Sequence, residues 1–300
     1  MDLATEAAYP TGRYRAGLFT PGSQSPIGEY EFYLEEFVPN RIKAELAKPE
    51  GPWLAGRPYS LQVAAQHLFG APAADRRCVA TVRLSKADLE FPGWEDLRFG
   101  ADAPYRSESI ECGEARTDGE GKAALAIQCD PSSDAVFPLQ AEAVVEVFEL
   151  GGRAVEASVK NTLFPSDISL GLGIAPGTGG KGLGVSVGAM RSDLKAASLK
   201  SVKVTLEKRV WSYYVRRMEG YNEANFSEMY TEIETRDVQL VNGRGQTQFA
   251  PEGYGSYRVR VHSPETPQYS AISFYAYGGT CEIADPSRPS LIKITLDKPA

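Results

Sequence analysis

Apolar and polar residues alternate with a period of two along most of this chain, and stretches near its two ends carry the alternation in nearly the same form. Ile42-Lys-Ala-Glu-Leu-Ala-Lys-Pro49 has apolar side chains at its first, third and fifth positions, and so does Ile292-Lys-Ile-Thr-Leu-Asp-Lys-Pro299. That spacing is the signature of a strand with one buried face, and each copy ends at a proline. A second pair, Gly12-Arg-Tyr-Arg-Ala-Gly-Leu18 with Tyr30-Glu-Phe-Tyr33, matches Gly255-Ser-Tyr-Arg-Val-Arg-Val261 with Ser273-Phe-Tyr275. The first pair reads as the opening strand of a repeated unit and the second as its closing strands.

Between these markers the pattern predicts short strands separated by turn formers. Residues 1–36 hold two, Arg13 to Phe19 and Glu29 to Phe37, which close a preceding unit and are expected to pack on a neighbour, since a lone hairpin is marginal. Residues 37–165 make a first complete unit, with strands at Ile42 to Leu46, Tyr59 to Phe69, Cys78 to Leu84, Ala123 to Gln128 and Ala141 to Phe148. Residues 166–287 make a second, opening at Ile168-Ser-Leu-Gly-Leu-Gly-Ile174, with its longest strand at Lys200 to Val215 and later strands at Arg236 to Val241, Ser256 to Val261 and Ser270 to Tyr277. Met218 to Glu234 is polar with scattered aromatics and reads as a long hairpin connection. Residues 288–300 are the first strand of a further unit. The fold class is therefore all-β, with tandem antiparallel sandwiches of immunoglobulin or fibronectin III type.

Composition narrows the function. A net charge of -7 disfavours nucleic acid or an anionic membrane surface as the main partner. No apolar run reaches the length of a membrane span, and Met1-Asp-Leu-Ala-Thr-Glu-Ala-Ala lacks the basic start and apolar core of a signal peptide. The chain is thus expected to be cytosolic or a piece of a longer exported protein, and the phase of the repeat favours the piece.

No residue set reads as catalytic. His67 and His262 sit in predicted strands of different units with no partner at ligand spacing, so neither a metal site nor a general base is expected, and no cofactor is called for. Gly177-Thr-Gly-Gly-Lys-Gly182 lacks the first glycine and the final hydroxyl of a phosphate-binding loop, and the strand-like Leu183-Gly-Val-Ser-Val187 follows it; it reads as a flexible loop, with protease bait as the sharper alternative. Cys112 and Cys129 flank the turn Thr117-Asp-Gly-Glu-Gly-Lys122. If that turn joins paired strands the two sulfurs come within bonding distance, so a disulfide there stands beside free thiols as an expectation. Cys78 and Cys281 have no evident mate. The densest aromatic stretch, Val210-Trp-Ser-Tyr-Tyr-Val215, puts Trp211 and Tyr213 on one face and Tyr214 on the other; it is either core plus inter-domain contact or a docking surface for a partner or glycan.

An ordered set of segments resembles one family, the bacterial alpha-2-macroglobulins. They are Glu35-Glu-Phe-Val-Pro-Asn-Arg-Ile-Lys43, Leu68-Phe-Gly-Ala-Pro-Ala-Ala74, Phe91-Pro-Gly93 with Phe99-Gly100, Thr117-Asp-Gly119 with Gly121, Gly151-Gly-Arg153 and Gly253-Tyr-Gly-Ser-Tyr-Arg258. The resemblance implies macroglobulin-like sandwiches in a large periplasmic protease trap, in which a protease cuts a bait segment and a strained thioester captures it. It implies as partners the other domains of the parent chain and the trapped proteases, with any membrane anchor outside this segment. The family's reactive pattern is Cys-x-Glu-Gln. Cys112-Gly-Glu-Ala115 falls one residue short, and Ala115 has no side-chain carbonyl from which a thioester could form. The reading is a structural segment rather than an enzyme; the rival is a ligand- or partner-binding immunoglobulin-like array of an adhesin or surface protein, which the same strand pattern would produce.

Overall fold

The computed structural model describes residues 10, 12–22, 25–34, 41–177, 182–218, 221–277 and 280–282. The second copy of the opening strand, Ile292 to Pro299, lies outside them, as does Glu35 to Asn40. Among the described residues every regular element is a β-strand.

β1 (Gly12–Leu18) and β2 (Gly28–Leu34) form a two-stranded sheet of their own, hydrogen-bonded to no other strand among the described residues. The first sandwich pairs a three-stranded sheet with a five-stranded one. The former comprises β3 (Ile42–Leu46), β5 (Pro58–His67) and β9 (Lys122–Gln128) in that order. The latter runs β4 (Trp53–Leu54), β11 (Ala154–Phe164), β10 (Leu139–Phe148), β6 (Arg77–Ser85) and β8 (Glu108–Arg116). Their inner faces meet in one core that includes Leu61, Val82, Leu84, Leu125, Ile127, Leu139 and Val145, all buried. The alternation explains this directly: β9 is buried at every second residue, and a one-residue slip would turn that set to solvent.

The second sandwich draws one strand from the first. Its four-stranded sheet runs β16 (Arg244–Phe249), β13 (Leu183–Arg191), β12 (Ile168–Pro176) and β7 (Arg98–Phe99), and β7 belongs by sequence to the segment between β6 and β8. The facing five-stranded sheet runs β15 (Tyr221–Gln239), β14 (Ser201–Met218), β17 (Tyr254–Ser263), β18 (Thr266–Tyr277) and β19 (Thr280–Glu282). A second core, with Leu172, Val187, Val204, Leu206, Tyr257, Val259 and Phe274, fills the space between them.

The hairpin connection expected at Met218 to Glu234 is itself strand: β14 and β15 stay in register from Ser201↔Gln239 to Met218↔Tyr221, with one bulge at Leu206/Glu207. β17 pairs with β14 only over Lys203 to Lys208, so the hairpin continues past its sheet as a two-stranded ribbon. Residues 228 to 237 of β15 are mostly exposed, which is why their polar sequence shows no alternation while the main-chain ladder persists.

The sequence repeat is also a structural one. Tyr14 of β1 pairs with Phe32 of β2, and Tyr257 of β17 pairs with Phe274 of β18. In both hairpins the rings stack at 5.8 Å between centroids and 22° between planes. Each tyrosine hydroxyl donates to a main-chain carbonyl upstream, Tyr14 to Pro10 and Tyr257 to Glu252. Tyr257 and Phe274 are buried in the second core, whereas Tyr14 and Phe32 remain partly exposed.

Candidate functional site, the joint between the two sandwiches

The tongue that carries β7 leaves the first sandwich at Ser85 and returns to it at β8. Its turns bring Phe91, Trp94, Leu97 and Phe99 to one side, where they pack with Phe164 and Met190 in a third, smaller core. Phe91 meets Phe99 edge-on at 5.2 Å and lies 5.6 Å from Phe164.

The floor beneath this cluster is made of glycine. In β12, Leu170 and Leu172 point into the second core, so the alternate positions Gly171 and Gly173 face the tongue. A β-carbon at Gly171 would stand 2.8 Å from the Phe99 ring, at Gly173 2.5 Å from the Asp96 carbonyl, and at Gly188 of β13 2.4 Å from Leu97. Only a bare backbone admits the tongue, which then pairs Phe99 with Gly171 and Arg98 with Leu172. The tongue's own bend needs glycine too: Gly100 has a φ of 84°, and a β-carbon there would lie 2.2 Å from Phe137.

Polar groups seal the edges. The Trp94 indole N–H donates to the Leu194 carbonyl at 2.9 Å. Arg244 of β16 donates to both oxygens of Asp96 and to the Gly93 carbonyl, with its guanidinium carbon 4.6 Å from the centre of the Trp94 ring. Arg244 holds the Asp96 carboxyl below the ordinary aspartate range, its hydrogen bonds outweighing partial burial. Gly100 N–H donates to Ser270 Oγ at 2.6 Å, and that hydroxyl donates onward to the Leu170 carbonyl at 2.6 Å. Asp102 N–H donates to the Ala271 carbonyl at 2.9 Å, while the Asp102 carboxylate accepts the Ser273 N–H. Two further bonds run from the second sandwich to the first, Tyr269 N–H to the Val136 carbonyl at 3.1 Å and Gln268 Nε2 to the Ala135 carbonyl at 3.3 Å. Lys86 bonds the Ala101 and Ala103 carbonyls at the base of the tongue, and burial lowers its pKa.

Chemically this is a fastening. Most of its polar groups bond one another, Gln268 Oε1 being buried without a protein partner, and no cluster of three metal-ligating side chains occurs among the described residues. His67 stacks on Phe69, and His262 is pushed toward its neutral form by burial.

The residues singled out from sequence lie elsewhere. Trp211 is 59% exposed at the base of the free ribbon, its ring 5.3 Å from the Arg209 guanidinium. Tyr213 and Tyr214 follow it in β14, where the backbone alone is described. Cys112 of β8 and Cys129, just past β9, do come near each other: the Cys112 thiol donates to the Ile110 carbonyl at 3.5 Å and lies 3.9 Å from the Gln128 carbonyl, and both cysteines are free. The joint itself was not singled out. Its signal lay in the glycines alternating with leucine and valine through β12 and β13, opposite a tongue with four apolar aromatics and leucines.

Comparison with known proteins agrees with this architecture. The family model for the Bacterial Alpha-2-macroglobulin MG5 domain matches residues 40–165, and that for Bacterial macroglobulin domain 6 matches residues 178–278. The two take in well over half of the chain. It belongs to the bacterial alpha-2-macroglobulin family. The alpha-2-macroglobulin of Xylella fastidiosa (strain 9a5c) is 29% identical over 306 residues, covering 96% of this chain and 18% of the relative. The native conformation of Escherichia coli alpha-2-macroglobulin shares the fold at a TM-score of 0.60 and 18% identity, over 90% of this chain and 18% of that one. The E. coli protein activated by porcine elastase gives 0.59 at 20% identity, over 89% of this chain and 24% of that one. The chain thus spans about a fifth of the length of such macroglobulins, and its sandwiches are macroglobulin-like domains.

Proposed function

We propose that this chain is a structural segment of a bacterial alpha-2-macroglobulin that traps proteases, a stiff two-domain piece of its wall and not an enzyme. The joint carries the reading: a strand of one sandwich completes the sheet of the next, over a buried aromatic cluster and a bidentate ion pair. Two domains fastened in this way move as one body, as a wall must when force from a change of shape passes through it. The units run over residues 37–165 and 166–287, with 1–36 closing a preceding domain and 288–300 opening a following one; matches at 40–165 and 178–278 support two central units.

Its partners are the other domains of the parent protein and, through the assembled trap, proteases; a relative activated by porcine elastase supports this. Nucleic acid and direct membrane insertion are not part of the reading, and the parent works in the periplasm, anchored outside this segment. The bait lies elsewhere in the parent. Within the candidate window Gly177 to Gly188, Thr178 to Lys181 are outside the described residues, while Leu183 to Gly188 are bonded on both edges in β13.

Limited digestion with several unrelated proteases, followed by mass determination, tests this. Cuts confined to the ends of the chain are expected. Cuts by all of the proteases within one short internal window, such as Gly177 to Gly188 or Met218 to Glu234, would make this piece the bait carrier and overturn the scaffold reading.

A further inference from the structure

The β8/β9 edge of the first sandwich holds a second constructed feature. β8 is the outer strand of the five-stranded sheet and β9 the outer strand of the three-stranded sheet, and the turn Thr117 to Gly121 carries the chain from one to the other. The turn is fixed by Asp118, whose carboxylate accepts the N–H groups of Glu120 and Lys122 at 2.9 Å each.

A β-bulge then re-aims one side chain. β8 pairs with β6 as Ala80↔Gly113 and Thr81↔Glu111, so Cys112 is an extra residue with no partner opposite. The irregularity turns Cys112 and Gly113 both toward the interior, between outward-facing Glu111 and Glu114. Gly113 has no β-carbon to hold the strands apart; one placed there would lie 3.1 Å from the Ala126 carbonyl of β9. Cys112 is left partly exposed and Cys129 buried, with Cys112 Sγ 3.9 Å from the carbonyl of Gln128, the residue before Cys129.

From the bulge, the close approach at Gly113 and the 3.9 Å separation of Cys112 Sγ from the carbonyl of the residue before Cys129, we propose that Cys112 and Cys129 are a covalent modification site. An organic disulfide oxidises them to an intersheet cystine that staples this edge. Cys112 is the attacking sulfur. It is the more exposed of the two, and the hydrogen bond from Cys129 holds its pKa down to about 7, against the opposing effect of burial. The Cys112 thiolate attacks one sulfur of the oxidant, whose S–S bond breaks to release one thiolate and leave a mixed disulfide on Cys112. Cys129 is raised first by its bond to the Cys112 thiolate, a cause that disappears once Cys112 is capped. Cys129 then loses its proton to solvent and its sulfur attacks that of Cys112, expelling the second thiolate. Two protein thiols are oxidised by two electrons and one oxidant disulfide is reduced to two thiols. Cys78, wholly buried, and Cys281 have their pKa raised by burial and take no part.

Oxidised glutathione is the probe. The reduced 300-residue chain is incubated with it, alkylated and digested with trypsin, which cuts after Arg116 and Lys122 and so separates the two cysteines. The expected product is a cross-linked pair of peptides carrying Cys112 and Cys129, with Cys78 and Cys281 alkylated. The oxidised chain should unfold about 5–10 °C higher than the reduced one, a modest gain because the loop closed is short. With Cys129→Ser, glutathione should stay on Cys112; with Cys112→Ser, Cys129 should not react. Four alkylated cysteines, a stable glutathione adduct on Cys112 in the unsubstituted chain, or a bridge that includes Cys78 or Cys281 would each overturn the proposal.

Discussion

Arg244 grips the Asp96 carboxylate with both terminal nitrogens at 2.8 to 3.0 Å, across 148 residues of sequence and from one sandwich to the other. The pair depresses the folded pKa of Asp96, so the stability it adds is fully present above the unfolded aspartate value and is lost as pH falls through the folded one. Both side chains are partly exposed, at 40% and 55%, which limits the contribution to about 0.5 kcal/mol. Arg244→Met should flatten this part of the stability profile below about pH 4, measured by urea unfolding at successive pH values; an unchanged profile would remove the pair from the joint's energetics.

Trp94 is the centre of the small core and should matter more. Trp94→Ala removes a buried indole that bonds the Leu194 carbonyl and lies beneath Arg244, at a cost of about 3–5 kcal/mol. Because that loss is concentrated at the joint, calorimetry should show one unfolding transition dividing into two. A single transition shifted as a whole would mean that the sandwiches are held together elsewhere.

The glycine floor makes a prediction in the opposite sense, from adding atoms. Gly188→Ala puts a methyl 2.4 Å from Leu97 and 2.7 Å from the Trp94 ring, and should destabilise by about 1–3 kcal/mol. Gly119→Ala, in the exposed turn with nothing within 4 Å, is the control and should change stability by less than about 0.5 kcal/mol. Chemical denaturation of the two variants side by side checks the difference.

Glu207 is a buried carboxylate on β14, held by Arg258 at 2.6 Å and Arg260 at 3.3 Å. Glu207→Gln leaves two guanidinium groups close together without their counter-charge and should cost about 2–3 kcal/mol, somewhat below the range for fully buried pairs because both arginines keep some access to water. Thermal unfolding of the variant, alone and combined with Arg260→Met, should show partial rescue in the double variant.

Trp211 should prove nearly silent for the fold. It is 59% exposed on the ribbon, and Trp211→Ala should shift the unfolding free energy by less than about 0.5 kcal/mol. A loss above 2 kcal/mol would instead assign it to packing.

Period-two alternation was enough to read the sandwiches, because a strand with one buried face must write that face into every second residue, as Lys122 to Gln128 does. It also caught the duplicated closing hairpin, whose Tyr14–Phe32 and Tyr257–Phe274 stacks follow from matching sequence. It missed the ribbon from Met218 on, where strand pairing rests on main-chain bonds and leaves no imprint on side chains. It missed the joint for another reason: Gly171, Gly173 and Gly188 look like weak strand residues until the tongue that lies on them is seen. The cysteine pair was half legible. Its flanking turn was plain, whereas the bulge that turns Cys112 inward depends on pairing with β6.

The borrowed strand also sets an order of events during synthesis. Wherever the chain is delivered N-terminal end first, β7 and its tongue arrive before β12 and β13, so the incomplete protein for a time displays Phe91, Trp94, Leu97 and Phe99 without the glycine surface that will receive them. In that interval the tongue is the region most open to chaperones, and to mispairing with another nascent copy.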